Sequence, residues 1–438
     1  MTDLLRPNRV DPSEAAPVAG SALPPRIIIG LLMITWFVAP LSGAGFGAVK
    51  LVDVMLAIDF LVVVVLYRRP GAQRVAQRGT LYCPPIARRH ILAILLLGSG
   101  LMLGAFRQDL GVGTALRTLQ YPLFALLPVM ILLSLRVGEK VRLLLALALV
   151  AGTVFSIGGA LFGGELATRG RAIGLTTHMN QLGMTAACAL PLIMLIGRGR
   201  SRRVQIMLWG IAGFCLLGLN LSGARSALLG AFAIFVLYGI SRLRRWISLF
   251  PSIVLVVLVV GVGALTIQPK ASDTTEVAAL QRLSGDVGSS RSDASRAALL
   301  NNGLNALNFG VVLVGGVYLE QDTHNVFLTV LVTGGIVALA GLVLALLPWL
   351  YRAIAISVGA FRSRTTRELY LYSLVVFGFA VWISFNNALW IRYFWCVLAL
   401  ALMAQISVDD GEVTVSESAS ASTGSQDGAD SPERPTTD

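Results

Sequence analysis

Two of the three histidines in this chain, His178 and His324, stand where a polar segment gives way to an apolar one. His324 closes a long polar stretch, residues 269–323, in the run Asp322-Thr323-His324-Asn325. An imidazole there, with Glu320 and Asp322 upstream to orient the ring and raise its basicity, can accept a proton from a hydroxyl. A helix-capping or interfacial histidine is the ordinary alternative. His178 opens a second apolar run in Thr177-His178-Met179-Asn180. Three arginine groups share these boundaries: Thr168-Arg169-Gly170-Arg171, Ser222-Gly223-Ala224-Arg225, and Arg291 to Arg296. Guanidinium groups keep their charge and present planar forks that bind phosphate oxygens in pairs, so the set suits an anionic ligand. Nothing points to a metal: no cysteine accompanies the two histidines, neither lies in a His-x-x-x-His spacing, and the nearby carboxylates form no Asp-x-Asp unit. No cofactor is expected.

Elements that could position such groups follow from composition. The chain of 438 residues is 55% hydrophobic and 13% charged, with a mean hydropathy of +0.76, far from a soluble domain. Apolar runs of about 20 residues, the length needed to cross a bilayer, recur along it. They predict an all-α, polytopic integral membrane bundle of about 12 transmembrane helices, at 26–43, 48–67, 90–106, 114–134, 141–163, 176–197, 204–222, 225–240, 247–267, 324–351, 369–387 and 391–408. Residues 1–25 read as a polar tail without a cleavable signal and 26–408 as the membrane domain. Residues 409–438, rich in Ser, Asp, Glu and Thr, read as a disordered acidic tail. The four cysteines offer no evident extracytoplasmic disulfide.

Charge placement gives an orientation, because Lys and Arg accumulate in the short loops that stay cytoplasmic. Alternate loops carry Arg68 to Arg89, Arg136 to Arg142, Arg198 to Arg203, Arg242 to Arg245 and Arg352 to Arg367. Both termini are therefore expected in the cytoplasm and loop 269–323 outside. The net charge of +12 is then a topology signal, and nucleic-acid binding is not needed to explain it. Basic residues left on the outer face, among them Arg107, Arg169, Arg171, Arg225, Arg291, Arg296 and Arg392, need another reason. A lone boundary arginine such as Arg107 or Arg392 is ordinarily a snorkelling anchor. Arg225 is different, since it sits in a tight hairpin at the hydrocarbon edge. Within span two, Asp53 is expected to pair with an internal cation such as Arg117, and His90 is assigned to an arginine-rich cytoplasmic loop.

These pieces resemble, in order, the O-antigen ligase and O-antigen polymerase superfamily of bacterial membrane glycosyltransferases. The matching residues are Arg169-Gly170-Arg171-Ala172-Ile173-Gly174 with His178-Met179-Asn180-Gln181, then Leu221-Ser222-Gly223-Ala224-Arg225-Ser226, then Ser295-Arg296 ahead of Gly315-Gly316, and finally His324-Asn325-Val326-Phe327-Leu328 with Gly334-Gly335. The resemblance covers roughly spans five to ten. It implies a metal-independent enzyme whose donor is a glycan on a polyisoprenyl pyrophosphate and whose acceptor is a glycan or a lipid or wall anchor. In this reading Arg169 or Arg171, Arg225 and Arg296 hold the pyrophosphate and His324 assists the acceptor hydroxyl, with His178, Asn180, Asn325 and Asp322 as supports. The plain run Ala297 to Leu300 departs from the family's pattern, which leaves Arg291 open beside Arg296. Ligase and polymerase are not separated by it. A secondary transporter or lipid-linked glycan flippase is the competing class; such proteins commonly show two related halves and broken helices, and the sequence shows no such repeat.

The orientation has a direct test. Single cysteines at Ser289 and Ser425 are to be treated in intact cells with a membrane-impermeant thiol reagent, and Ser289 alone is expected to react. Labelling at Ser425 but not at Ser289 reverses the assignment.

Overall fold

The computed structural model describes residues 26–43, 45–46, 49–67, 84–107, 112–162, 172–242, 287–317, 323–358, 366–386 and 391–423. It is a helical bundle: α1 Arg26–Val38, α2 Leu51–Tyr67, α3 Pro85–Arg107, α4 Val112–Leu135, α5 Glu139–Phe162, α6 Met179–Ile196, α7 Arg202–Leu221, α8 Arg225–Arg242, α9 Val287–Asn305, α10 Phe309–Val314, α11 Val326–Ser357, α12 Thr366–Ile383 and α13 Arg392–Thr423. Two residues each from Gly45–Phe46 and Val49–Lys50 pair antiparallel between α1 and α2. Every expected span within the described residues has a helix at its place; 247–267 lies outside them. Among the described residues seven helices are long and apolar enough to cross a membrane, and α1 and most of α8 are shorter apolar helices. The chain is thus an all-α protein of multi-pass membrane type.

Apolar runs become helices because a segment in lipid must satisfy its own backbone groups. Side chains at the ends supply the remainder. His178 Nδ1 accepts the Asn180 N–H at 3.1 Å to cap α6, Asn308 Oδ1 accepts from Val311 N at 3.0 Å to cap α10, and Asn325 Oδ1 accepts from Leu328 N at 3.0 Å to cap α11. Among the helices, α6, α12 and the first half of α13 are buried on most sides, while α3, α4, α5, α7 and α11 each keep an exposed apolar face. Aromatic packing joins α12 to α13, where Phe379 stacks on Phe394 at 4.1 Å between ring centres.

The closest helix pair is α3 with α11, and small residues permit it. A Cβ at Gly104 would collide with the Thr333 carbonyl, one at Gly100 with the backbone of Ala338, and one at Gly341 with that of Leu97. At Gly335 (φ 67°, ψ −169°) α11 leaves helical geometry, in a region of backbone space that is essentially glycine's own. An unbroken helix would commit the carbonyls of residues 332 and 333 to N–H groups four positions on. Here Val332 O accepts from Val317 N and Thr333 O from Gly316 N, both at 3.0 Å.

Two sets of polar contacts mark opposite ends of the bundle. At one end the Arg142 guanidinium of α5 donates to both oxygens of Glu368 on α12, at 2.8 and 2.9 Å, and to Ser407 Oγ on α13 at 2.8 Å. At the other, Arg392 at the start of α13 donates to both oxygens of Asp53 near the start of α2, at 2.6 and 2.8 Å. Arg107 at the end of α3 donates there to Gly310 O and Gly315 O, at 2.7 and 3.0 Å. Helix starts and ends therefore alternate as the loop charges predict.

Several expectations are corrected. Asp53 has its internal cation in Arg392, because α13 starts beside that end of α2; the Arg117 side chain lies outside the described residues. Arg392 is consequently buried at 6% exposure, with its guanidinium 5.1 Å from the Phe124 ring centre, and is no snorkelling anchor. Arg107 stays exposed at the end of α3 and adds to its boundary position a clamp on the chain before α11, whereas Arg142 is an interior ion-pair partner, not a loop charge. His90 lies within α3 and is buried. Polar segment 269–323 contains two helices, α9 and α10. The tail expected to be disordered from residue 409 begins as helix, since α13 runs on to Thr423; extending a helix from a packed stem adds a hydrogen bond per residue without a new nucleation cost. Residues 424–438 and 1–25 lie outside the described residues.

The Asp53–Arg392 pair is open to a double-mutant cycle. Asp53→Leu or Arg392→Met alone strands a buried charge and should cost about 3–5 kcal/mol, whereas the double variant should recover most of it. Unfolding in detergent measures each, and additive losses would show that the two residues do not act as a pair.

Candidate functional site

His324 lies in the left-handed region at φ 53°, one of two non-glycine residues among those described with positive φ. Such a conformation costs on the order of 1–3 kcal/mol and persists where neighbours over-determine it. Both neighbours are tied. Thr323, 2% exposed, shares a hydroxyl contact of 2.7 Å with Thr329 and donates to Asn325 O at 2.8 Å. Because a hydroxyl has one proton, donation to the carbonyl makes Thr329 the donor to Thr323. Asn325 is held as the α11 cap, and its N–H reaches Thr323 Oγ1 at 3.3 Å. The half-buried imidazole is thus carried on a short backbone arch at the mouth of α11.

Helix α9 sits on this arch through a glycine. A Cβ at Gly303 would lie 2.7 Å from Thr323 Cγ2 and 2.8 Å from Leu328 Cδ2, so a larger residue would displace those side chains or α9. Arg296 precedes Gly303 by seven residues, two helical turns or about 10 Å along the same face. Position 291 stands about 120° around the helix from that face. Arg296 is half-buried, with partly buried Leu299 between it and Gly303 on the face of α9 that meets the arch.

A second group surrounds Arg225, the first residue of α8. The preceding turn is built by Ser222, whose Oγ donates to Leu219 O at 2.7 Å and accepts from Ala224 N at 3.2 Å, and by Gly223 at φ 62°. Gly183 of α6 lets this turn approach: a Cβ there would lie 2.5 Å from Ser222 Oγ. Ala172, next in the chain after Arg171, donates its N–H to Leu221 O at 3.0 Å, tying that strand to the end of α7. The buried Asn180 donates to Asn386 Oδ1 at 2.9 Å, and Asn386 donates to Ser226 Oγ at 2.8 Å, joining α6, the end of α12 and α8. His178 is exposed and occupied as the α6 cap.

Both groups occupy the same end of the bundle, and α8 also packs on α11. Of the residues expected at the site, Arg169, Arg171 and Asp322 lie outside the described residues, as does the Arg291 side chain. Among the described residues no three His, Cys, Asp or Glu gather closely enough to hold a metal ion. No family model matches the chain, and no curated protein is significantly similar to it. The site therefore rests on its own geometry.

Sequence reasoning missed Asn386, Thr323 and Gly303. Asn386 had a signal, since the polar pair Asn386-Asn387 closes an apolar span. Gly303 had none, because what matters there is a contact across tertiary structure, and Thr323 had none because its hydrogen bonds depend on the turn that the arch adopts.

The strain at His324 can be measured. His324→Gly should leave stability unchanged or raise it by about 1 kcal/mol, and His324→Val should lower it by about 1–2 kcal/mol, since a β-branched residue resists positive φ. A lower unfolding temperature in detergent for the glycine variant than for the valine variant contradicts the left-handed assignment.

Proposed function

We propose that the chain is a membrane glycosyltransferase that moves a glycan from a polyisoprenyl pyrophosphate to an acceptor hydroxyl on the outer face of the cell membrane, in cell-surface polysaccharide assembly. The orientation that accompanies this reading has both termini cytoplasmic, about 12 spans, and segment 269–323 outside. The observation that carries it is the strained His324 on its tied arch, with the Arg296 face of α9 seated beside it through Gly303. Residues held in rare backbone conformations by their surroundings cluster at working sites. The described parts of the O-antigen ligase-like motifs lie toward this end of the bundle, which supports the reading.

In the reaction the acceptor oxygen attacks the anomeric carbon as its proton passes toward His324. The bond from that carbon to the pyrophosphate oxygen breaks, and the leaving group takes the electron pair as added negative charge. Arg225 and Arg296, with Arg169 or Arg171, meet that charge; preorganised donors aimed at a developing anion stabilise it strongly in a water-poor site. Asn180 and Asn386 brace the Arg225 turn through Ser226, while Asn325 fixes the arch. The partners are the carrier-linked donor, a glycan or a lipid or wall acceptor, and membrane lipids.

One feature favours the transporter reading: the break in α11 is of the kind that lines cargo sites in transporters. Its carbonyls at residues 332 and 333, however, accept backbone N–H groups of Gly316 and Val317, which leaves those two satisfied within the protein.

The test uses purified protein in vesicles with a lipid-linked glycan. His324→Ala should lower turnover by about 10²–10⁴-fold with donor binding nearly unchanged. Arg225→Lys and Arg296→Lys should each lose most transfer because they keep charge without the paired fork, and EDTA should have no effect. A longer carrier-linked product identifies a polymerase, and a glycan on a non-carrier acceptor identifies a ligase. Movement of the intact lipid-linked glycan across the bilayer, with no bond made and no effect of His324→Ala, would replace the enzyme reading with a flippase.

A further inference from the structure

The α10 helix has no polar side chain on any face. Its sequence, Phe309-Gly310-Val311-Val312-Leu313-Val314, turns Val311 inward against Leu328 and Val332 of α11. On the other side Phe309 is 82% exposed, Leu313 45% and Val314 40%, and Leu304 at the end of α9 is 49% exposed. A helix that is apolar all round belongs in a core or in lipid, not in water. Contiguous exposed apolar surface of this kind marks a site of contact with a protein or a membrane.

What lies against it follows from where α10 is fastened. On α3 the exposed residues Leu92, Leu95, Leu103 and Phe106 recur at helical spacing and form one apolar stripe. Because α3 is long and apolar enough to span a bilayer, that stripe faces hydrocarbon. The next residue after Phe106, Arg107, donates to Gly310 O and Gly315 O at 2.7 and 3.0 Å, so α10 is clamped at the point where the stripe ends. Its exposed residues therefore lie next to the end of that lipid-facing stripe.

We propose that α10, with Leu304 of α9, is an interfacial helix whose Phe309 and Leu313 insert into the lipid leaflet at the end of α3. The occupant is lipid, and the Arg107 guanidinium lies at headgroup depth, where its charge is solvated while its stem stays in apolar surroundings. The α11 mouth, joined to α10 through Val311, is thereby held at the level of the lipid phosphates. This placement does not depend on the transfer chemistry, and it holds equally for a flippase.

The experiment places a single environment-sensitive nitrobenzoxadiazole label at Phe309→Cys in full-length protein carrying Cys83→Ser. The other cysteines, Cys188, Cys215 and Cys396, are fully buried and will not compete. Reconstituted into vesicles, the label should be quenched by lipids spin-labelled near the headgroup, less by lipids labelled deep in the chain, and little by aqueous iodide. The same label at Ser295→Cys, exposed on α9, should respond to iodide instead. Strong iodide quenching at position 309 without lipid quenching overturns the proposal. Protection from both quenchers also overturns it, and assigns the face to protein: residues 243–286 or a second copy of the chain. An unchanged unfolding temperature for Phe309→Cys is the control for folding, and Leu313→Cys, labelled likewise, provides an independent position with the same expectation.

Discussion

The interruption of α11 at Gly334-Gly335 organises this end of the molecule. Two carbonyls released inside an apolar bundle would each cost several kcal/mol if left unpaired. They are met by the N–H groups of Gly316 and Val317, so that strand must run beside the break. Its glycines are required there: Gly315 and Gly316 have φ of 78° and 98°, and a Cβ on either would strike Thr333 or the Arg107 side chain. Once the strand is fixed, α10 and the Arg107 clamp follow from it. The α3–α11 seam matters for the same reason, since backbone-to-backbone approach at Gly100, Gly104 and Gly341 brings the end of α3 close enough for Arg107 to reach.

Interior charge follows a similar logic of completeness. Asp53 and Arg392 exchange two hydrogen bonds, the Lys50 N–H adds a third to Asp53 at 3.1 Å, and Phe124 covers the guanidinium. Arg142 and Glu368 do the same at the opposite end with Ser407. Each pair ties helices distant in sequence, α2 to α13 and α5 to α12, and so contributes more to a unique arrangement than to net stability. Asp59 differs: its one described partner is the Thr35 hydroxyl at 2.6 Å, which bonds α2 to α1 without a cation.

Hydropathy made the helices legible, because length and apolarity are properties of a segment by itself. Loop charge made the alternation of ends legible, as the cross-bundle contacts of Arg142, Arg107 and Arg392 bear out. Partner choice was not legible. Asp53 had several arginines in reach of a guess, and its bonds to Arg392 follow from where α13 starts in the bundle. His90 looked like a loop residue because it adjoins Arg88 and Arg89, yet it falls on the α3 face that meets α11, in step with Leu97, Leu101 and Gly104. At the candidate site, His324 and Arg225 stood out by type and position. Gly303 and Asn386 act through neighbours 20 or more residues away, which no local pattern records.

Breaking α11 also divides it into two parts with different fates. Residues 336–357 belong to the tightly packed stem along α3. Residues 326–334 share backbone hydrogen bonds with 315–317 and side-chain contacts with α9 and α10, so these pieces open together or not at all. Amide protons of 315–317 and 326–334 should therefore exchange with solvent as a single cooperative unit. The arch bearing His324 can then loosen and reset while the membrane-spanning body stays folded.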